Sequence, residues 1–455
     1  MSETTIAAAL DELERRDPDR VAVRCGGAAL TRRELGEWTR RLAAHWRRGG
    51  LAVDDHVSIV LESGIGFVVA AVAAWRAGAT PQPVPPSLPE GERRDVLELA
   101  AAPLLVDHDP PLVDDLPPCA ELPDLAASCW KAPTSSGSTG RPKIVRAAAP
   151  ATWDPDRSPA AFVPRDAVQL VAAPLHHAAP FTYAMRGLMC GHTLVLMTAF
   201  DPAEWLRLVE THDVTWGLLS PTSMLAVWRS PRRASAEVSS LESVLHLGAR
   251  CPPWLKREWL GWLGPERVVE VYAGTESQGL TCIGGEEWLA HPGSVGRPTG
   301  GTRLRVVRAD GTGCGFGETG EVLMRRDRET YSYLGAEPVV RDGWHTLGDA
   351  GHLDEQGYLF LGDRLEDAVR TPDGTVWPAD VEGVIERHPA VRSCLVVERS
   401  GQVHAVVETA PEDLADIGVW AAGRLLEVQR PATWQQTTSR LRDDMGKARR
   451  AEWRG

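Results

Sequence analysis

No stretch of this 455-residue chain is both apolar enough and long enough to cross a bilayer. The most apolar run, residues 66–79, is broken by Arg76 and reads as a buried helix. The first residues carry Asp11–Arg20, a charged stretch and no apolar leader, so a cytoplasmic location is expected. Cysteines are few and scattered: Cys25, Cys119, Cys129, Cys190, Cys251, Cys282, Cys314 and Cys394 form no C-x-x-C pair. That spacing speaks against a zinc site or a dithiol redox centre, and the thiols are expected to act as small buried hydrophobes. Positive charge is also in deficit, 49 Lys and Arg against 62 Asp and Glu, a net −13. A phosphate-tracking surface needs the opposite balance, which excludes a nucleic-acid partner. No internal repeat is present.

What remains is a chain of ordinary globular composition, 43% hydrophobic and 24% charged, long enough for two or three domains. From Ala22 to Gly274 short apolar runs alternate with helix-like segments. Thr31 stands three residues before Glu34, a capping box, and the helix it starts closes at Gly49 and Gly50. The runs around Val57, Gln169, Leu194, Gly217, Leu245 and Val269 read as strands, and the segment 201–212 between two of them reads as a helix. Continuous apolar strands separated by helices predict a mostly parallel sheet covered on both faces. After Ala290 the texture changes to hairpins, with strands at 302–308, 320–326 and 357–363, a small barrel-like β region. Beyond Arg364 a short helix, a hairpin turning at Ser400-Gly401 and a second helix predict a small α+β domain. The expected division is 1–364, a large α/β body, and 365–455, a small mobile α+β domain. Residues 107–123, rich in Pro and Asp, read as a surface loop.

The strongest local signal is Thr134-Ser135-Ser136-Gly137-Ser138-Thr139-Gly140-Arg141-Pro142-Lys143. Its glycines let backbone N–H groups approach one point closely, its hydroxyls add donors, and Arg141 and Lys143 add charge, which together suit a polyphosphate. It is not a Walker loop: Lys143 is not followed by Ser or Thr, and Pro142 disfavours the helix such a loop launches. Strand-like runs, 128–132 and 144–149, flank it.

This segment resembles the phosphate loop of the adenylate-forming superfamily, which includes acyl-CoA synthetases, peptide-synthetase adenylation domains and luciferases. Further matches follow in family order. Tyr272-Ala273-Gly274-Thr275-Glu276 resembles the Tyr-Gly-x-Thr-Glu element, and His246–Arg250 resembles the upstream adenine-side loop. Thr346–Asp349 resembles the Thr-Gly-Asp element, Arg364 the arginine that opens the linker, and Gly446-Lys447 the C-terminal Gly-Lys element. The resemblance implies ATP and Mg²⁺ as cofactors. It assigns Thr134–Gly140 and Lys143 to the phosphates, Gly248, Ala249, Arg250, Tyr272, Ala273 and Gly274 to the adenine, Asp349 to the ribose, and Arg364 to the ribose or phosphate. Thr275 would donate to the α-phosphate, Glu276 would hold Mg²⁺ through a hard oxygen, and Lys447 would assist carboxylate attack. His177 falls on the position that gates the acid tunnel, where it could orient the carboxylate or fill space. The organic acid is expected among His177, Ser220–Thr222 and the Gly248 and Gly274 loops. Glu366 falls on the hinge.

The likeness is greatest to bacterial acyl- and aryl-CoA ligases, yet one stretch departs from them. Where that group carries Ser-Gly-Gly-x-Asn near the pantetheine arm, this chain has Thr371-Pro372-Asp373-Gly374-Thr375. Proline removes an N–H and aspartate adds negative charge, which puts CoA in doubt as acceptor. The superfamily also includes ATP-dependent diazotases, so nitrite with an aryl amine stands as the alternative to a small-molecule acid. The acid, the acceptor and the oligomeric state stay open at this stage.

Overall fold

The computed structural model describes residues 3–454 except 120, 137–141, 155, 156 and 159. It is built around a nine-stranded sheet. Six strands run parallel, in spatial order Val268–Ala273, Ser243–His246, Trp216–Leu219, Val168–Val171, Thr193–Leu196 and Val21–Cys25. Antiparallel strands Leu280–Gly284 and Ala28–Thr31 extend it on either side. A smaller parallel sheet of Thr80–Pro83, His56–Ile59 and Leu104–Val106 lies beside it. The mixed α/β architecture anticipated from the alternation is present.

Local chemistry accounts for the helices between these strands. Thr31 caps Arg32–Arg48 with both halves of the capping box, and Asp201 accepts from the Glu204 N–H to start Pro202–His212. Helix Ile65–Arg76 is buried on every side, and Gly78 turns the chain at φ +77°. Arg76 does not break this helix. Its guanidinium is 2.8 Å from Asp11 and donates to Thr39 at 2.8 Å, so the charge is buried as part of a pair.

The β region at 303–364 is an antiparallel sheet in which Trp344–Leu353 pairs with Gly320–Arg325, Val340–Arg341 and Leu359–Arg364. From Leu365 onward the chain forms hairpin Val369–Thr371/Gly374–Val376, then a three-stranded sheet, Ser393–Arg399, Gln402–Glu408 and Thr433–Thr437, packed by helices Pro378–Ile385 and Leu414–Ala422. Helix Leu414–Ala422 stops at its C-cap, Gly423. No helix among the described residues is long and apolar enough to cross a membrane.

Two local expectations are corrected. The run 128–132 is not a strand: Trp130 donates to Ala149, Ala132 donates to Pro81 and Lys131 accepts from Ala147, an irregular path wedged between two sheets. Of the eight cysteines, Cys129, Cys251 and Cys394 are buried and the other five are half-exposed.

Candidate active site

The phosphate-like loop is the connection of a hairpin, Thr134–Ser136 paired antiparallel with Pro142–Ala147, whose far neighbour is strand Tyr331–Leu334. Residues Gly137, Ser138, Thr139, Gly140 and Arg141, together with the Ser136 side chain, lie outside the described residues. The stem is well anchored. Thr134 is buried, accepts from Gln82 at 2.9 Å and donates to the Pro83 carbonyl at 3.0 Å.

Pairing of Val145 with Tyr333 makes Tyr333 the diagonal neighbour of Lys143 on one face. The Lys143 ammonium therefore donates to the Tyr333 hydroxyl at 2.8 Å and lies 3.0 Å from Glu276 Oε1, while the Tyr333 hydroxyl donates to that same oxygen at 2.5 Å. Burial pushes the Glu276 carboxyl up. The Tyr333 hydroxyl and the Lys143 ammonium outweigh burial and hold it below its ordinary value. The carboxylate is thus kept ionised inside the protein, a hard donor that fits a hard divalent cation. Tyr333 was not singled out from sequence; a tyrosine pair two residues apart in a strand beside the loop was the available signal.

Gly274 packs closely against its neighbours. A side chain there would stand 2.7 Å from Leu347 and 2.9 Å from Glu276 Oε2. The strand end carrying Tyr272–Glu276 therefore lies directly against the Leu347-Gly348-Asp349 segment. Tyr272 donates to Asp349 Oδ2 at 2.6 Å, and burial followed by that carboxylate raises its phenol well above the ordinary value. Asp349 and Arg364 are cross-strand partners, and Arg364 Nε is 2.9 Å from Asp349 Oδ1. Arg364 also donates to the Leu347 carbonyl at 2.6 Å, and Gly348 turns at φ +80° to present it. Ala273 is exposed and Thr275 half-buried at the mouth of this arrangement.

The C-terminal segment sits on three of the loops named from sequence. A side chain on Gly446, at φ +78°, would stand 2.5 Å from Thr222 Oγ1 and 3.2 Å from Ser220 Oγ, and one on Gly248, at φ +95°, would stand 3.7 Å from Met445. His177, the N-cap of helix Ala178–Met189, meets Asp444 Oδ1 at 2.6 Å, with His176 3.3 Å from Oδ2. Lys447 follows this turn, exposed, its backbone N–H held by Asp443 at 2.8 Å. Arg250 pairs with Asp380 at 2.5 Å, so its side chain ties the C-terminal segment down and is not turned to the base. Arg229 and Trp254 add bonds to the carbonyls of His388, at 3.0 Å, and Gly383, at 2.8 Å. Asp444, like Tyr333, carried no motif, whereas His177 was named from its own.

The family model described as AMP-binding enzyme matches residues 10–129 and 132–334. A feruloyl-CoA synthase of Amycolatopsis sp is 31% identical over 412 residues, covering 84% of this chain and 83% of that protein. The fatty acid–[acyl-carrier-protein] ligase ScoC of Streptomyces coeruleorubidus is 28% identical over 497 residues, covering 96% and 93%. Among solved structures, o-succinylbenzoate CoA synthetase (MenE) from Bacillus subtilis, in complex with the acyl-adenylate intermediate OSB-AMP, superposes with a TM-score of 0.83. It is 22% identical and the match covers 100% of this chain and 99% of that one. The chain belongs to the AMP-binding, adenylate-forming enzyme superfamily. Within it, the protein is an AMP-forming ligase of the acyl/aryl-CoA ligase type.

Proposed function

We propose that the enzyme joins an aryl or acyl carboxylic acid to AMP, releasing pyrophosphate, and then passes the acyl group to a nucleophile. The observation that carries this reading is the convergence of Glu276, Lys143 and Tyr333 with Tyr272, Asp349 and Arg364, while the turn that precedes Lys447 lies against Gly248 and Thr222.

The loop 134–140 and Lys143 cradle the phosphates of ATP, and Thr275 donates to the α-phosphate. Asp349 has lone pairs beyond those taken by Tyr272 and Arg364, and these receive the ribose hydroxyls. Gly248, Ala249 and the Tyr272–Gly274 strand end frame the adenine. Glu276 would hold Mg²⁺, which when bound would neutralise phosphate charge. The acid's carboxylate oxygen attacks the α-phosphorus, pyrophosphate leaves, and the Lys447 ammonium steadies the charge as it moves. Residues 1–364 act as the body and 365–455 as a lid hinged at Glu366, and His177 orients the incoming carboxylate while holding Asp444.

For the second step, the Val369–Thr371/Gly374–Val376 hairpin carries Pro372 and Asp373 at its tip, which disfavours a pantetheine arm. The acceptor is therefore tested directly. A panel of acids is assayed for pyrophosphate release, alone and with CoA, an aryl amine, or nitrite plus an aryl amine. Acid-dependent release supports the reading; release only with nitrite and an aryl amine assigns a diazotase, and release with no addition of either kind overturns adenylation.

A further inference from the structure

The chain has only four lysines, Lys131, Lys143, Lys256 and Lys447, while arginine supplies most of its positive charge. Two of the four face carboxylates, Lys143 on Glu276 and Lys256 on Glu270. Lys447 is exposed on the C-terminal turn. Lys131 is the exception: it is 6% exposed, and its ammonium has one partner among the described residues, the Thr182 hydroxyl at 2.5 Å. It lies over the Trp130 ring, 5.0 Å from the centroid, and the Arg186 guanidinium stands over the same ring at 5.4 Å. Burial and the Arg186 charge lower the Lys131 ammonium to about 7, and no carboxylate acts on it. Arg186 has no carboxylate or carbonyl acceptor among the described residues; the charges that act on it are Arg157 and Arg326, with only the Tyr183 phenol and the Cys190 thiol opposing them. Arg326 also has a buried Nε without a partner. A buried lysine ammonium beside a half-buried arginine, with no carboxylate among the described residues for either, is costly, and native proteins keep such a set where an anion completes it.

The cluster has a defined position. Thr182 and Arg186 lie one turn apart on the helix that His177 caps. Tyr183, between them, packs against the same buried cluster, Leu218, Leu245, Val269 and Val271, as Ala179, Leu247 and Leu280, the apolar wall next to the Gly248 and Gly274 loops. Ala179, Tyr183 and Arg186, at i, i+4 and i+7, share one face of this helix, and Arg186 stands about 10 Å along the axis from Ala179 at a rise of about 1.5 Å per residue.

We infer that the acid substrate is a dianion, with one carboxylate at the reacting end near His177 and a second anionic group seated on Lys131 and Arg186, backed by Arg326. This rests on the adenylation reading above and specifies its substrate class. The intervening body lies along Tyr183 and Ala179 and is flat or slender, placing its two acidic groups about 10 Å apart, the axial rise from Ala179 to Arg186. Arg186 makes the paired contact to the distal carboxylate and Lys131 a point-charge contact.

The test uses the full-length enzyme with matched pairs: benzoate and terephthalate, cinnamate and p-carboxycinnamate, and linear monoacids against α,ω-diacids of equal length. Pyrophosphate release should favour each diacid over its monoacid, by roughly 10- to 100-fold in kcat/KM near the best length, the scale of a charge-assisted hydrogen bond in a desolvated site. Arg186→Gln and Lys131→Met should collapse that ratio toward one, chiefly through KM, and Arg186→Lys should restore part of it. Equal turnover within every pair, or variants that slow both members equally, would overturn the inference. Equilibrium binding of p-carboxycinnamate, measured without ATP, separates the two claims. Binding lost in Arg186→Gln while no acid releases pyrophosphate keeps the pocket and removes adenylation; no binding removes the pocket. Phosphate or nitrite that binds the wild type as tightly as the diacid would show an inorganic-anion site and overturn the substrate assignment.

Discussion

Removing one hydroxyl, by Tyr333→Phe, tests how Glu276 is kept ionised. In the wild type a single carboxylate oxygen receives both the Tyr333 hydroxyl at 2.5 Å and the Lys143 ammonium at 3.0 Å, in a side chain 6% exposed. A hydrogen bond to a buried charge contributes about 1.5–3 kcal/mol, so the variant should lose roughly ten- to hundred-fold in kcat for pyrophosphate release if Glu276 must be ionised. The pH dependence is the sharper readout. The folded carboxyl lies below its ordinary value only because Tyr333 and Lys143 outweigh burial. Without the hydroxyl that balance tips toward burial, the carboxyl rises, and the acid limb of the kcat profile moves to higher pH. The sign for stability follows the same course. A depressed carboxyl contributes stability above its unfolded value and loses it as pH falls through the folded value, so the variant should forfeit part of that contribution at neutral pH. Lys143→Met combined with Tyr333→Phe should be non-additive, since both act on one oxygen. An unmoved acid limb, with additive effects, would refute the reasoning.

Three further outcomes are expected. Asp349→Ala removes a carboxylate shared by Tyr272 and Arg364 and should weaken ATP binding by about ten- to hundred-fold in calorimetry, whereas an unaltered affinity would move the ribose elsewhere. Asp444→Ala should release the His177 contact and increase hydrogen exchange in residues 365–455; the bond is part-exposed, so the loss is about 1 kcal/mol, and unchanged exchange would deny it a clamping role. Lys256→Met leaves Glu270 buried without its 2.5 Å partner and should destabilise the fold by about 3–5 kcal/mol in chemical denaturation, with Glu270→Gln recovering much of the loss. A smaller cost than an ordinary surface change would contradict the pairing.

The parts of this protein legible in sequence are those whose signal is periodic or contiguous. The parallel strands announced themselves as continuous apolar runs, and Thr31 with Glu34 marked a helix start that the structure reproduces. Asp349 and Tyr272 were named separately from contiguous motifs, but their hydrogen bond joins positions 77 apart, which no spacing encodes. Tyr333 and Asp444 were missed for the same reason. One reaches Glu276 through a strand pairing 190 positions from Lys143, and the other reaches His177 across 267. Arg250 was read by its motif position, and the fold turns its side chain to Asp380 because the C-terminal segment docks there. Lys131, in a run that looked like a strand, gave no hint of lying over a tryptophan beside Arg186.

The central claim is that these dispersed groups act on one α-phosphorus. It is tested most directly by acid-dependent exchange of labelled pyrophosphate into ATP, in the wild type and in Lys447→Ala. The account predicts exchange in the wild type with at least one carboxylic acid, and a fall of a few orders of magnitude in the variant, about 3–5 kcal/mol of lost charge stabilisation, with ATP affinity retained. Exchange that proceeds equally well without Lys447, or that occurs with no acid present, would contradict it.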